Sequence, residues 1–317
     1  MGPVLTVLTI AAAVGAGVLL SRVPGLGRLS SSRALAAARM ALLCPMVGAM
    51  GFRIGRTPQV IQAAGTLGLA SLLFAAATMA GTLAVLAAVF AARVRGRRSA
   101  GGAGPAAATA AAKGSTGAWR DAALLLGMLL AGFLVGRMVP IFPGANGEKL
   151  VTALLYALLV AIGFGLGGSD LPRLHLLVHP DLLVIPLGTA VGSLLGGLGA
   201  GLLLGMRPGG SLAVAAGFGW YSLSGVVLTR LDSPTLGTVA FLSNMIRESL
   251  ALLLIPLLGR SRFPLLAVGA GGATSMDVTL PLIGKSCGAP SVPFAVASGG
   301  LLSLSVPFLV PLLYALR

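Results

Sequence analysis

Acidic side chains are scarce in this chain: seven Asp and Glu stand among 317 residues, against 22 Lys and Arg. Charged residues make up only 9% of the sequence. A soluble domain carries about 25%, so a large soluble domain is excluded. Cysteine is nearly absent as well. Cys44 and Cys287 stand alone in apolar surroundings with no CxxC spacing, which argues against a disulfide framework, a redox pair or a metal cluster. They read as small buried hydrophobes, and no cofactor is expected. Basic residues are missing before Arg22, so the apolar stretch from 3 to 20 lacks the basic start of a secretory signal. It reads as a retained first helix with its N-terminus outside. Aromatic residues are few, at 5%, and no basic face is interleaved with them. The net charge of +15 therefore does not point to nucleic acid.

What the chain does have is apolar length. Hydrophobic residues reach 56% and the mean hydropathy is +1.00. This is the composition of an all-α polytopic membrane protein, long enough for eight to ten spans with short loops. The basic residues sit at the ends of apolar segments, where they mark the cytoplasmic side and meet anionic headgroups. The lipid bilayer is the expected surrounding.

Spans are expected near 3–20, 35–53, 60–92, 121–139, 150–168, 182–205, 236–258 and 291–316. Arg22, Arg28, Arg33 and Arg39 follow the first span and are expected to be cytoplasmic. A basic, Gly/Ala-rich linker from 93 to 120 is expected there too. It divides the chain into an N-terminal transmembrane part (1–92) and a C-terminal transmembrane part (121–317) that carries the candidate functional site. The loop after 168 holds His175 and His179 at i, i+4 between Pro172 and Pro180. Two imidazoles on one face suit a metal, but no third ligand is near, and a solvated or interfacial loop is the simpler reading. Gly188, Gly192 and Gly196, then Gly197, Gly201 and Gly205, repeat every four residues. That spacing lets helix backbones approach closely in lipid. A weak similarity between 35–55 and 150–168, three spans apart, suggests inverted repeats.

Two further stretches, 211–229 and 264–284, are apolar but rich in Gly, Ser and Thr. Clustered glycines weaken a helix by about 1 kcal/mol each, so both are expected to be broken or re-entrant, with freed backbone groups lining a cavity. The charge rule slightly favours eight full spans plus these two segments over ten spans, and either count puts both termini outside. Of the acidic residues, Asp121, Glu148, Asp170, Asp181 and Asp232 lie at segment ends or in loops. Glu248 and Asp277 alone sit inside long apolar stretches. An intramembrane carboxylate is read as functional by default. Asn244 shares a helix face with Glu248. Arg247 is about 100° away from Glu248 and is a charge partner or a structural residue. The unwound backbone at Gly217 and Gly219, with Trp220, Tyr221 and Ser222, and the second break at Thr274 and Ser275 complete the candidate substrate- and proton-binding set.

At these residues the chain resembles the LysO-type lysine exporters of bacteria. The resemblance is carried by AAGFGWYSLSGVVLT (215–229), NMIRESLALLLIPLL (244–258) and GGATSMDVTLPLI (271–283). It extends over nearly the whole chain except the linker. It implies a multi-pass inner-membrane exporter of L-lysine, with close analogues such as thialysine as further candidates. It also implies outward-facing termini and reliance on an intramembrane acidic pair, here Glu248 and Asp277. Physical argument adds protons as the exchanged partner: a dry carboxylate binds either a proton or a cation, and competition between them gives antiport. Half-helix N-termini at a break would receive the substrate's α-carboxylate. One or two protons per lysine are both compatible with the sequence. An antiporter for Na+ or another basic solute is the alternative. An intramembrane hydrolase is remote, because only one Asp and neither His lies in the apolar part. The sequence leaves the oligomeric state open.

Overall fold

The computed structural model describes residues 3–23, 33–56, 66–99, 118–138, 144–167 and 179–316. Among them there is no strand, and twelve α-helices account for nearly all of the backbone. A long apolar segment in lipid can satisfy its N–H and C=O groups only within itself, and this leaves the helix as its default form.

The helices are α1 (Pro3–Ser21), α2 (Arg33–Arg56), α3 (Thr66–Ser99), α4 (Ala118–Met138), α5 (Gly144–Gly167) and α6 (Asp181–Leu203). They continue with α7 (Pro208–Ala215), α8 (Tyr221–Leu231), α9 (Pro234–Leu258), α10 (Leu266–Gly271), α11 (Leu280–Cys287) and α12 (Val292–Tyr314). Short 3-10 turns, Gly272–Met276 and Ala289–Ser291, precede α11 and α12. Four stretches are long and apolar enough to cross a membrane: Leu67–Arg95, Asp181–Leu203, Pro234–Leu258 and Ala289–Tyr314. Shorter apolar helices at Met40–Ala49, Ala123–Met138 and Ala153–Phe164 accompany them. The chain is an all-α, multi-pass membrane protein.

Three helix pairs give the bundle its frame: α1 with α5 and α2 with α4, each running parallel, and α3 with α6, running antiparallel. Each is a close backbone approach through glycine. A Cβ on Gly192 of α6 would lie 2.4 Å from the Gly81 carbonyl oxygen of α3. On Gly132 of α4 it would lie 1.9 Å from the Gly48 carbonyl oxygen of α2, and on Gly17 of α1 2.1 Å from the Val160 carbonyl oxygen of α5. Lipid tails are as apolar as leucine, so helices associate by van der Waals contact and small residues collect at the seam. Helix α6 shows the resulting inversion of the soluble pattern. Gly188, Gly192 and Thr189 are buried inward, while Leu183, Leu187, Val191 and Leu195 are exposed. The expected glycine spacing on α6 thus has two addresses: Gly188, Gly192 and Gly196 meet α3, and Gly197 and Gly201 meet α7.

Two details differ from expectation. Helix α3 runs on to Ser99, through the residues assigned to the start of the linker. Asp181 is not a loop residue but the first residue of α6, buried, and Arg93 of α3 donates to its Oδ1. A carboxylate in the first helical turn also complements the helix dipole. His179 lies beside it, with Nδ1 3.3 Å from Asp181 Oδ2 and its ring edge-on to Phe294 at 5.6 Å. His175 lies outside the described residues. Among the described residues no cluster of three His, Cys, Asp or Glu could hold a metal.

Candidate functional site

Helix α9 runs through the most buried part of the molecule, with Asn244, Arg247 and Glu248 3%, 1% and 4% exposed. Ser233 caps its start by accepting from the Leu236 N–H at 3.2 Å, and Pro234 occupies its first turn. Two broken helices meet against it.

The first break lies between α7 and α8. Helix α7 stops at Ala215, and Gly217, Phe218 and Gly219 carry the chain across to Trp220. Gly219 has φ +100° and Phe218 has φ +48°. A bulky residue in the left-handed region is strained and persists only where its surroundings hold it. The second break separates α10 from α11. Gly272 turns the chain with φ +60°, and a 3-10 turn carries Thr274, Ser275 and Met276 up to Asp277. The breaks touch directly: the Ala273 N–H donates to the Phe218 carbonyl at 2.9 Å.

Breaking a helix away from water frees backbone groups, and each must find a partner. Side chains supply most of them. Asn244 Nδ2 donates to the Val214 carbonyl at 3.1 Å, and its Oδ1 accepts from the Gly219 N–H at 2.8 Å. Ser193 Oγ donates to the Ala215 carbonyl at 2.9 Å. At the second break, Thr274 Oγ1 donates to the Gly271 carbonyl (2.9 Å) and Ser275 Oγ to those of Gly272 (2.8 Å) and Ala295 (2.9 Å). Ser303 Oγ reaches the Ala273 carbonyl at 3.3 Å, and Thr279 Oγ1 the Thr274 carbonyl at 3.0 Å. Asn244, Thr274 and Ser275, singled out from the sequence as candidate substrate contacts, are thus bonded to the backbone of the breaks. Gly217 is small for a related reason: a Cβ there would lie 2.5 Å from Asn244 Nδ2.

Arg247 stands where the breaks cross. Its Nη2 reaches Thr82 Oγ1 of α3 at 3.3 Å and the Gly269 carbonyl of α10 at 3.5 Å. Its Nη1 faces both unwound turns: a Cβ on Gly272 would lie 2.5 Å from it, and one on Gly219 3.6 Å. Neither Glu248 nor Asp277 is within ion-pairing distance of Arg247, so the pairing open in the sequence is not made here. Asp277 is half-buried at the end of the 3-10 turn, and its Oδ1 accepts from the Val278 N–H at 2.6 Å. No hydrogen bond joins Asp277 to Glu248.

The remaining expected site residues lie at the rim. Trp220 and Tyr221 are half-buried, and Tyr221 packs edge-on against Phe241 of α9 at 5.2 Å. Ser222 is exposed. No hydrogen bond of Arg247 or Asp277 reaches these three. Sequence reasoning passed over Thr82, Thr189 and Ser193, polar residues inside long apolar helices that come to the crossing. Their signal was a lone hydroxyl on a buried face, which is common in any membrane helix.

Similarity to a family model and to two curated proteins places the chain among known proteins. A family model described as lysine exporter LysO matches residues 126–314, a stretch that includes both breaks and α9. The lysine exporter LysO of Escherichia coli (strain K12) is 37% identical over 187 residues, covering 59% of this chain and 62% of that protein. A putative lysine exporter of Haemophilus influenzae is 34% identical over 188 residues, covering 59% of this chain and 93% of that protein. The match therefore spans less than two thirds of the Escherichia coli relative. No solved structure matches. With more than half of its length matched by the family model and both relatives aligned over the same share, the chain belongs to the lysine exporter LysO family.

Proposed function

We propose that this protein exports L-lysine across the bacterial inner membrane in exchange for protons, with Glu248 and Asp277 as the carboxylates that hold a proton or the substrate's amine in turn. The observation that carries this reading is the crossing of two broken helices against α9, inside the segment that the lysine exporter model matches. Unwound backbone in a membrane protein is tolerated where it is buried in protein or lines a cavity, and transporters use it to meet charged substrates. A buried carboxylate favours its neutral form unless a cation is near. A site that releases protons when lysine arrives, and lysine when protons arrive, couples the two flows. Moving Lys+ out against a negative interior costs about 2.3 kcal/mol per 100 mV. One proton exchanged per lysine cancels that term, and a second adds to the drive. Thialysine, which keeps all three charged groups of lysine, is a further substrate on the same argument. Eight full spans with the two broken segments, related as inverted repeats, and both termini outside complete the proposal.

Everted membrane vesicles test it. Radiolabelled lysine should accumulate inside them when a pH gradient is imposed and stop when it is collapsed. Glu248→Gln and Asp277→Asn keep size but remove charge, and each should abolish lysine-dependent proton movement while protein abundance stays near wild type. Normal lysine export by both variants would make the acidic pair structural. Sodium-driven flux without lysine would assign the scaffold to another cation.

A further inference from the structure

Among the described residues, only four buried side-chain polar atoms lack a hydrogen-bond partner, and two of them, Nε and Nη1, belong to Arg247. A third, Thr189 Oγ1, belongs to the same cluster: Thr82 Oγ1 donates to the Thr189 carbonyl at 3.4 Å and accepts from Arg247 Nη2. A guanidinium remains charged under any biological condition. Buried charges in proteins are paired, because an unpaired one forgoes its hydration without replacement. Arg247 is 1% exposed and, among the described residues, has no carboxylate within ion-pairing distance. Its unpartnered Nη1 faces the two turns where glycine has left out a side chain, at Gly219 and Gly272.

We infer that Arg247 is the receptor for the α-carboxylate of the transported amino acid, bound through its free donors between the unwound turns at Gly219 and Gly272. The inference rests on the export reading above and adds a requirement to it: the substrate must carry an anion as well as a cation. Arginine suits this because its planar donors meet both oxygens of a carboxylate, whereas an ammonium acts as a point charge. A simple cation such as Na+ would meet an unpaired guanidinium at this crossing and be repelled. The carboxylate would take a place that the sequence alone assigned to half-helix N-termini.

A structural duty for the same residue is specific enough to be separated from this one. Arg247 Nη2 already lies toward the Gly269 carbonyl, in the last turns of α10, where a positive charge complements the negative end of a helix. That duty needs charge, which lysine supplies, and does not need the fork of the guanidinium.

The experiment uses the full chain in proteoliposomes and measures labelled L-lysine flux against three unlabelled competitors: L-lysine, L-lysinamide and 1,5-diaminopentane. The last two keep the distal amine and lack the carboxylate. Wild type should prefer L-lysine at least about tenfold, the scale for losing one charge-assisted hydrogen bond. In Arg247→Lys the KM for lysine should rise by a similar factor, and the preference over both carboxylate-free competitors should shrink toward unity. Thermal melting of the purified variant should stay near wild type. Equal competition by all three compounds in wild type overturns the carboxylate receptor while leaving lysine export intact. So does an Arg247→Lys variant that keeps the full preference. A wild type that moves no lysine overturns the export reading and this inference together. The wild-type series needs no variant and decides the matter if Arg247→Lys fails to fold.

Discussion

Asn244 carries more structural duty than any other uncharged side chain at the crossing. It donates to the Val214 and Ala240 carbonyls and accepts from the Gly219 N–H, so it joins α9 to both sides of the first break. Truncation would orphan the buried Gly219 N–H, which costs about 1–3 kcal/mol when left unmade, and would leave the Val214 carbonyl only the Gly217 N–H at 3.4 Å. Asn244→Ala should therefore lower the melting temperature of the detergent-purified protein even without lysine, whereas Glu248→Gln should leave it near wild type. An unchanged melting curve for Asn244→Ala would show that the break holds itself. The two residues were grouped in the sequence because i, i+4 spacing puts them on one face. That spacing was legible, but the division of labour was not. An amide is read as a substrate contact or as a backbone partner only once the neighbouring carbonyls are known to be free. Arg247 was hidden for a similar reason. A charge next to Glu248 in sequence invites pairing, and only the crossing of two distant segments reveals that among the described residues no carboxylate pairs with it.

The elements themselves were largely legible. Apolar runs located six of the eight expected spans to within three residues, while α3 ends seven residues later and α5 begins six residues earlier than expected; clustered glycines located both breaks. Helix α6 shows where legibility ends. Its four-residue glycine spacing announced close packing, but the partner could not be named, because Gly81 on α3 stands in an ordinary apolar run. The equivalent seam between α2 and α4 went unnoticed, although Gly51 and Gly55 meet Leu129 and Phe133 while Gly132 and Gly136 meet Gly48 and Phe52 in the same spacing. The seams make a paired prediction. A Cβ on Gly192 would lie 2.6 Å from Thr82 Cα as well as against the Gly81 carbonyl, while one on Gly199 meets nothing within 4 Å. Gly192→Ala should cost about 1–3 kcal/mol through overpacking against backbone that cannot yield. Gly199→Ala, on the same helix, should be neutral or slightly stabilising, since alanine is the better helix former. Equal melting temperatures for the two variants would mean that α3 and α6 slide apart without cost. Helix α3 would then also have to move away from Arg247, whose Nη2 contacts Thr82.

At the scale of the molecule, the helices before the linker do not form a unit of their own. Helices α1, α2 and α3 pack chiefly on α5, α4 and α6, all of which follow it. A chain divided within 100–117 and expressed as two pieces should therefore reassemble in the membrane, and an affinity tag on one piece should retain the other through detergent extraction. Failure to co-purify, with both pieces present, would show that covalent continuity is needed to form the seams. Orientation is tested separately by a reporter active only in the periplasm, fused after Arg317. It should be active, and activity of a cytoplasm-only reporter there would put the span count wrong by one. The hydrogen bond from Ala273 to Phe218 bears on how such a body could move. Among the described residues it is the one backbone hydrogen bond between two half-helix pairs that lie far apart in the chain. Either break can shift on its own only by unfastening it, and while it is closed a displacement at one break is handed to the other. The crossing is then a hinge pin with one clasp, so a displacement on either side would be felt by both arms at once.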